Sequence, residues 1–355
     1  MKGKFPEAER KPLRFRFLTA FLSAAYCICV AAPAGYTRAG TRAEASAPAA
    51  RAECVMEADS RRILYERNGE QALPMASTTK ILTAITVLEN CKDLAEEFPV
   101  PAQAAGVEGS SVYLERGAVY SVEDLLYGLM LRSGNDCAEA LALHFGGSIE
   151  GFAEQMNLTA QKAGALHSRF LNPHGLPREG HYTTARDLNL ISCYAMHNPE
   201  FCKIVSAKYY APRGWANKNK MLKSYEGAVG VKTGYTKAAG RCLVTAAERE
   251  GMTLVCTVLN CSAMYERSAE LLDDAFGAYR RVCVLEGDAA LSVGREKGCT
   301  REALYYPLLP EEEEHLRIET EEKRVFGREK NDEIIGEVKR YLINRLLFSR
   351  NLYKL

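Results

Sequence analysis

Residues 77–88 read STTKILTAITVL. The apolar residues from Ile81 to Leu88 recur at three- and four-residue intervals, which predicts a helix that buries one face. Ser77 then lies at the start of this helix. Because residues three positions apart on a helix share a face, the amine of Lys80 can reach the Ser77 hydroxyl. The stretch therefore predicts a hydroxyl and an amine within reach of each other at the edge of a helical core.

Two further short motifs follow in the chain, Ser133-Gly134-Asn135 and Lys232-Thr233-Gly234. Each motif alone is common by chance, as a turn or as the end of a strand. Their occurrence together behind Ser77 and Lys80, in this order, is typical of the active-site serine acyltransferases of the penicillin-binding and β-lactamase type.

The residues of the first two motifs suit one chemistry. Lys80 can take the proton of Ser77 if its pKa falls, which burial and the neighbouring cation Lys232 would both favour. Ser133, polarised by Lys232, would pass a proton to the leaving amine, and Asn135 would hold Lys80 and the substrate amide. We therefore predict four catalytic residues: Ser77, Lys80, Ser133 and Asn135.

The third motif suits substrate binding. Lys232, on a strand, and the hydroxyl of Thr233 would bind a substrate carboxylate. Gly234 leaves room for a peptide-like substrate along the strand edge. The backbone amides of Ser77 and Tyr235 would form an oxyanion hole. The predicted substrate-binding residues are Lys232, Thr233, Gly234 and Tyr235.

The predicted secondary structure changes along the chain on either side of these motifs. A hairpin, Cys54–Ala58 with Ile63–Glu66, is predicted before Ser77, and helical patterns dominate the middle of the chain. Strand-like runs separated by glycine-containing turns return later: Ala228–Thr233, Cys242–Glu248 and Thr253–Asn260. This order predicts an α+β fold, in which an antiparallel sheet flanked by helices joins distant ends of the chain around a helical insertion.

Beyond Arg281 the sequence becomes strongly charged. The acidic run Glu311–Glu314 is interpreted as a solvated loop, and Ile334–Ile343 with Leu346–Tyr353 predict two strands around a turn. We predict a penicillin-binding-like domain at residues 52–280 and a small C-terminal β-rich domain at residues 281–355.

The N-terminal segment predicts export. Basic residues cluster in the first sixteen positions, and the uncharged run Phe17–Ala34 follows. This pattern predicts a signal peptide at residues 1–35 and a linker at residues 36–51. A retained membrane anchor is the alternative, but its apolar part is shorter than the roughly 20 residues that a spanning helix needs. We expect an extracytoplasmic protein, secreted or associated with the cell wall or membrane, with membrane contact only if the signal segment is retained.

Length and composition set outer limits. A chain of 355 residues corresponds to roughly two domains, and 46 basic against 45 acidic residues give a net charge of +1, which disfavours a nucleic-acid partner. Twelve cysteines are too few for a disulfide scaffold. Several of them fall inside apolar helix or strand patterns, which favours small reduced core residues over the disulfides that export suggests: Cys137, Cys193, Cys242 and Cys256.

With these features the chain resembles the low-molecular-mass penicillin-binding proteins that are D-alanyl-D-alanine carboxypeptidases. Besides the three motifs, the resemblance rests on Gly109–Gly117, Asn172–Leu176, His181–Asp187 and Gly234–Thr236. It implies a serine peptidase with a β-lactamase-like fold that removes the terminal D-alanine of peptidoglycan pentapeptides through an acyl-enzyme on Ser77. It also implies acylation by β-lactam antibiotics, and it places His181 near the rim of the active site, where it would orient a loop. We expect no cofactor and no metal ion.

Other activities on the same fold are alternatives. A class A-like β-lactamase needs a glutamate to activate the deacylating water. The position where it would lie is empty, because no Asp or Glu occurs between Glu154 and Glu179. A DD-endopeptidase or a transpeptidase would use the same acyl-enzyme, and the sequence does not choose among these. A catalytically silent wall-binding protein is disfavoured by the intact motifs.

Overall fold

The computed structural model describes residues 47–326 and 333–354, so the predicted signal peptide lies outside the described residues. The strands before Asn260 are, in chain order, β1 (Ala52–Glu57), β2 (Ile63–Arg67), β3 (Glu97–Pro99), β4 (Val119–Ser121), β5 (Tyr209–Tyr210), β6 (Trp215–Ala216), β7 (Ala228–Thr236), β8 (Gly240–Arg249) and β9 (Met252–Leu259). Five of them form one antiparallel sheet in the order β2-β1-β9-β8-β7. The first strand thus pairs with the last, and the α+β prediction is confirmed.

Helices cover both faces of this sheet. They are α1 (Lys80–Asn90), α2 (Val122–Tyr127), α3 (Asn135–Gly146), α4 (Ile149–Ala163), α5 (Ala185–Met196), α6 (Pro199–Ser206), α7 (Met221–Ser224) and α8 (Met264–Ala278). Strand side chains alternate between the two faces. Cys54 and Met56 pack in the larger core with α1, and Val55 packs with α8 on the other face. Every helix in the described part of the chain is too short or too polar to cross a membrane.

Helix α2 leads directly to one of the predicted catalytic motifs. The Ser121 hydroxyl caps its start by accepting a hydrogen bond from the Asp124 amide at 3.0 Å. At its end the backbone widens into a π-helical turn, Gly128–Arg132, and then leaves the helical region at Ser133, where φ is 65°. Such π-helical turns often occur at functional sites, because they redirect the side chains that follow.

The C-terminal residues form the predicted β-rich domain. Its strands are β10 (Arg280–Leu285), β11 (Leu291–Val293), β12 (Glu296–Cys299), β13 (Leu304–Leu308), β14 (Leu316–Phe326), β15 (Glu333–Leu342) and β16 (Arg345–Lys354). Five of these form a sheet in the order β11-β12-β16-β15-β14, and β10 pairs with β13. The two strands predicted around a turn near residue 344 are confirmed as β15 and β16.

The acidic run in this domain is not simply a solvated loop. Residues Pro310–His315 form a 3-10 helix. From it, Glu312 accepts two hydrogen bonds from the Arg62 guanidinium, at 2.6 and 2.8 Å, and Arg62 also donates to the carbonyl oxygen of Pro307 at 2.7 Å. The run is therefore partly a contact surface for the β1–β2 hairpin, because the bidentate pairing of Arg62 needs a carboxylate there.

All ten cysteines in the described residues carry free thiols. The four that the sequence placed in apolar patterns are fully buried: Cys137, Cys193, Cys242 and Cys256. They act as small apolar core residues, as the sequence predicted.

Candidate active site

The first motif forms a compact turn at the start of α1. Residues Ala76–Thr79 are a 3-10 turn, and Lys80 begins the α-helix. Lys80 is completely buried, and its amine lies 3.0 Å from the Ser77 hydroxyl. The same amine donates to the side-chain oxygen of Asn135 at 2.6 Å and to the carbonyl oxygen of His174 at 2.8 Å. Lys80 thus joins three separate chain segments.

The protonation state of Lys80 follows from its surroundings. Burial, and next the positive charge of Lys232, hold the pKa of Lys80 well below its ordinary value. A neutral amine has two hydrogens and one lone pair. The two atoms that contact the amine, the side-chain oxygen of Asn135 and the carbonyl oxygen of His174, can only accept. They therefore take both hydrogens, and the lone pair faces Ser77. The geometry suits proton transfer from the serine to the lysine.

The second motif places its residues at the joint between the π-helical turn and α3. Ser133 is almost buried, and Asn135 is the first residue of α3. The backbone nitrogen of Asn135 donates to the carbonyl of Ser110 at 2.7 Å, and its side-chain nitrogen donates to the carbonyl of Glu108 at 2.6 Å. These bonds fix the side-chain oxygen of Asn135 toward Lys80.

Asp136 has a role that sequence reasoning missed. Its buried carboxylate accepts hydrogen bonds from the Ser111 hydroxyl at 2.6 Å and from the amides of Val112 and Leu114, each at 3.0 Å. It therefore holds the loop that carries the carbonyl acceptors of Asn135. Nothing in the sequence marks this role, because most of its partners are backbone groups.

The third motif lies on β7, one of the two edge strands of the five-stranded sheet. Lys232 is buried, and its burial, together with the charge of Lys218, lowers the pKa of Lys232 to about 7. Its amine donates to the carbonyl of Thr233 at 2.9 Å. The predicted polarisation of Ser133 by Lys232 is not present as a direct hydrogen bond among those of the described residues. Lys218 is a further cation near the site that sequence reasoning did not assign.

Gly234 brings β7 against the turn that carries Ser77. A Cβ atom at Gly234 would lie 3.0 Å from the carbonyl oxygen of Met75 and 3.1 Å from the amide nitrogens of Ser77 and Thr78. The next residue, Tyr235, has an exposed side chain. The backbones at Ser77 and Tyr235, predicted to supply the oxyanion hole, are thereby brought to the same small region.

A left-handed residue precedes the serine. Ala76 has a φ of 52°, a conformation that costs about 1 to 2 kcal/mol for a residue other than glycine. The Ala76 carbonyl packs against Gly175, where an added Cβ would lie 1.9 Å from the oxygen, so only glycine fits there. Sequence reasoning did not identify this contact.

Five of the predicted residues are therefore linked to one another by contacts or by charge: Ser77, Lys80, Asn135, Lys232 and Gly234. Lys80 links Ser77 to Asn135 by hydrogen bonds, Gly234 contacts the Ser77 backbone, and Lys232 acts on Lys80 through its charge. Within the described residues, no group of three or more His, Cys, Asp or Glu side chains is arranged to hold a metal ion.

Comparisons with known proteins identify the family. The sequence profile described as D-alanyl-D-alanine carboxypeptidase matches residues 39–263. D-alanyl-D-alanine carboxypeptidase DacF of Bacillus subtilis (strain 168) is 32% identical over 70% of this chain and 68% of its own length, and DacC of Escherichia coli (strain K12) is 35% identical over 71% and 67%. The crystal structure of penicillin binding protein 5 from Haemophilus influenzae superposes with a TM-score of 0.72 at 25% identity, covering 86% of this chain and 96% of that one. The chain belongs to the D-alanyl-D-alanine carboxypeptidase family of serine peptidases.

Proposed function

We propose that this protein removes the terminal D-alanine from peptidoglycan pentapeptides through an acyl-enzyme on Ser77. The observation that carries the proposal is the position of the buried Lys80 amine, 3.0 Å from the Ser77 hydroxyl. In its neutral form this amine has two hydrogens, and both are directed to acceptor oxygens, those of Asn135 and His174. Family membership supports the choice of substrate, since the related proteins are named for the D-alanyl-D-alanine bond.

Acylation needs one proton to move from the serine to the leaving group. The Ser77 oxygen attacks the carbonyl carbon of the penultimate D-alanine while Lys80 takes the hydroxyl proton. Ser133 then passes a proton to the amine of the terminal D-alanine as the carbon–nitrogen bond breaks, and the proton that Lys80 took from Ser77 replaces it, so that Lys80 is again neutral. Asn135 holds Lys80 and the substrate amide throughout. The amides of Ser77 and Tyr235 stabilise the oxyanion.

Substrate orientation comes from the edge strand. Lys232 and Thr233 bind the terminal carboxylate, and the glycine at position 234 lets the peptide approach the strand. The low pKa of Lys232 supports this role, because a buried amine that lacks a carboxylate partner gains one when the substrate binds.

Deacylation uses the same base. Lys80 takes a proton from a water molecule whose oxygen attacks the acyl carbon, and it returns that proton to the Ser77 oxygen as the ester bond breaks and the shortened peptide leaves. A β-lactam acylates Ser77 in the same way, and the adduct is long-lived because no acidic residue between Glu154 and Glu179 is available to activate water as in class A β-lactamases.

The decisive experiment uses pentapeptide muropeptides. Free D-alanine together with the tetrapeptide product, both lost in Ser77→Ala, is the expected result. Cross-linked products or cleavage of cross-linked dimers would instead assign a transpeptidase or an endopeptidase. Intact-mass spectrometry after addition of penicillin should show a stable adduct. Rapid turnover without an adduct would favour a β-lactamase, and no reaction with either compound would indicate a binding protein.

The substrate indicates where the protein acts, and the predicted segments of the chain give its domain arrangement. Peptidoglycan lies outside the cytoplasm, and the signal peptide proposed at residues 1–35, followed by the linker at 36–51, would export the chain. The peptidase domain would comprise residues 52–280, and residues 281–355 would act as a spacer or docking domain. N-terminal sequencing of the protein recovered from culture medium and from washed membranes tests cleavage and retention together.

A further inference from the structure

His181 is the last residue of the loop 171–181, and its ring lies against the turn that carries Ser77. It is almost buried. Its Nδ1 atom accepts a hydrogen bond from the backbone amide of Leu171 at 3.0 Å. A backbone amide can only donate, so Nδ1 carries a lone pair, and the proton of the neutral ring is on Nε2. That nitrogen lies 3.3 Å from the hydroxyl oxygen of Thr79 and donates to it.

The neutral state of this ring has a clear cause. Burial, followed by the positive charges of His174 and Arg178, lowers the pKa of His181 to about 4. The ring of Phe170 meets the His181 ring edge to face, with centroids 5.9 Å apart, and contributes no charge. The ring therefore keeps one tautomer at neutral pH, with an acceptor toward Leu171 and a donor toward Thr79.

The hydrogen bonds continue from Thr79 to the residue before the serine. The Thr79 hydroxyl receives its hydrogen bond from His181 and donates its own hydrogen to the carbonyl of Ala76 at 2.8 Å. That carbonyl belongs to the left-handed residue next to Ser77. The series of hydrogen bonds from His181 through Thr79 thus ends on the carbonyl of Ala76, whose orientation sets the direction of the turn.

The loop at residues 171–181 also contacts Lys80, the proposed base. His174 belongs to the loop that ends at His181, and its carbonyl accepts a hydrogen bond from Lys80 at 2.8 Å. The next residue, Gly175, packs directly against the Ala76 carbonyl. Movement of this loop would therefore shift the partner of Lys80 and the turn before Ser77 together.

We propose that His181 is a positioning residue that, through Thr79, holds the left-handed turn at Ala76 and so aligns Ser77 with Lys80. In this arrangement His181 acts through Thr79 and not on the reacting atoms. The inference rests on the proposed acyl-enzyme on Ser77, and it adds the group that aligns the two reacting side chains before the substrate arrives.

The test uses two substitutions that each keep one of the two hydrogen bonds. His181→Gln places an amide nitrogen near the position of Nε2 and keeps a donor for Thr79. His181→Asn places an oxygen near the position of Nδ1 and keeps the acceptor for Leu171 but cannot reach Thr79. Acylation by a fluorescent penicillin is followed at increasing penicillin concentrations, which separates the limiting acylation rate from the dissociation constant of the first complex.

The expected result is a split between the two variants. His181→Gln should acylate within about threefold of the wild type, and His181→Asn should lose about 30-fold or more in the limiting rate with an unchanged dissociation constant, as expected for a misaligned reacting pair. Equal losses in both variants, or a loss only in the dissociation constant, would overturn the proposal. A wild-type protein that penicillin does not acylate would instead contradict the proposed function.

A second pair covers the case in which a histidine variant does not fold. Thr79→Ser keeps the hydroxyl that joins His181 to Ala76, and Thr79→Val removes it with little change in volume. Retained acylation in Thr79→Ser with a loss in Thr79→Val supports the proposal, and equal rates in the two variants contradict it. Thermal melting of each variant shows whether a loss of rate follows stability alone.

Discussion

The contact between Gly234 and the turn before α1 makes Gly234→Ala an informative substitution. The added methyl group would enter a space bounded by backbone atoms, with the Met75 carbonyl 3.0 Å away and the amides of Ser77 and Thr78 each 3.1 Å away. Ordinary contacts of a Cβ atom begin at 3.4 Å. Backbone atoms cannot rotate away as a flexible side chain does, so β7 and the turn must separate by a few tenths of an ångström.

The size of the effect follows from that separation. Loss of one donor from an oxyanion hole typically lowers a rate by about 100- to 1,000-fold, and a displacement of about 1 Å in a reacting group can cost about 100-fold. A shift of a few tenths of an ångström between the amides of Ser77 and Tyr235 should therefore lower the acylation rate by about tenfold, equivalent to about 1.4 kcal/mol in the barrier.

The measurement is the rate of acylation by penicillin, compared with a matched control. Gly277→Ala is that control, because Gly277 lies in α8 and an added Cβ would meet nothing within 4 Å. It should acylate at the wild-type rate and melt at an equal or higher temperature, since alanine favours helix over glycine by up to about 1 kcal/mol. If Gly234→Ala acylates within about twofold of the wild type while both variants fold, the reasoning from this contact is refuted.

Three further outcomes are expected. Lys80→Arg should lower acylation by about 1,000-fold, within the range of general-base catalysis, because a guanidinium does not take up a proton; an active variant would exclude Lys80 as the base. The pKa of Lys232 is about 7, so its charge, and with it kcat/KM for a peptide with a free carboxylate, should fall as pH rises through about 7; Lys232→Arg should abolish this alkaline limb, and an identical pH profile would contradict the assignment. Asp136→Asn replaces one carboxylate oxygen by an NH2 group, which cannot accept hydrogen bonds from the backbone amides of the 111–114 loop. Because each unsatisfied buried donor costs about 1 to 3 kcal/mol, thermal denaturation should show a Tm lower by several degrees. An unchanged Tm would show that the 111–114 loop does not depend on this carboxylate.

Relations that depend on local spacing could be read directly from the sequence. A residue three positions after another on a helix shares its face, so Lys80 had to lie near Ser77 wherever the helix packed. Apolar patterns with periods near two and near 3.6 likewise predicted strands and helices, and their order along the chain predicted a sheet that joins distant ends of the chain. The order of the three motifs then indicated the chemistry.

Other parts of the site depend on backbone atoms, which are the same for every residue type and leave no mark in the sequence. The His174 carbonyl that accepts from Lys80 and the amides that bind Asp136 belong to this group. The contact made by Glu312 of the acidic run was missed for a related reason, since its partner Arg62 lies in a distant hairpin.

The sequence by itself determined the fold class, the motif residues and the pairing of Ser77 with Lys80, because local periodicity and side-chain chemistry carry that information. Only the tertiary structure decided how the pKa of Lys80 is lowered, because this depends on complete burial and on Lys232 from a distant strand. It also decided how Ser77 is aimed, because the left-handed turn at Ala76 is held by groups about 100 residues away in sequence. Burial, charge proximity and backbone contact are properties of chain segments brought together by folding.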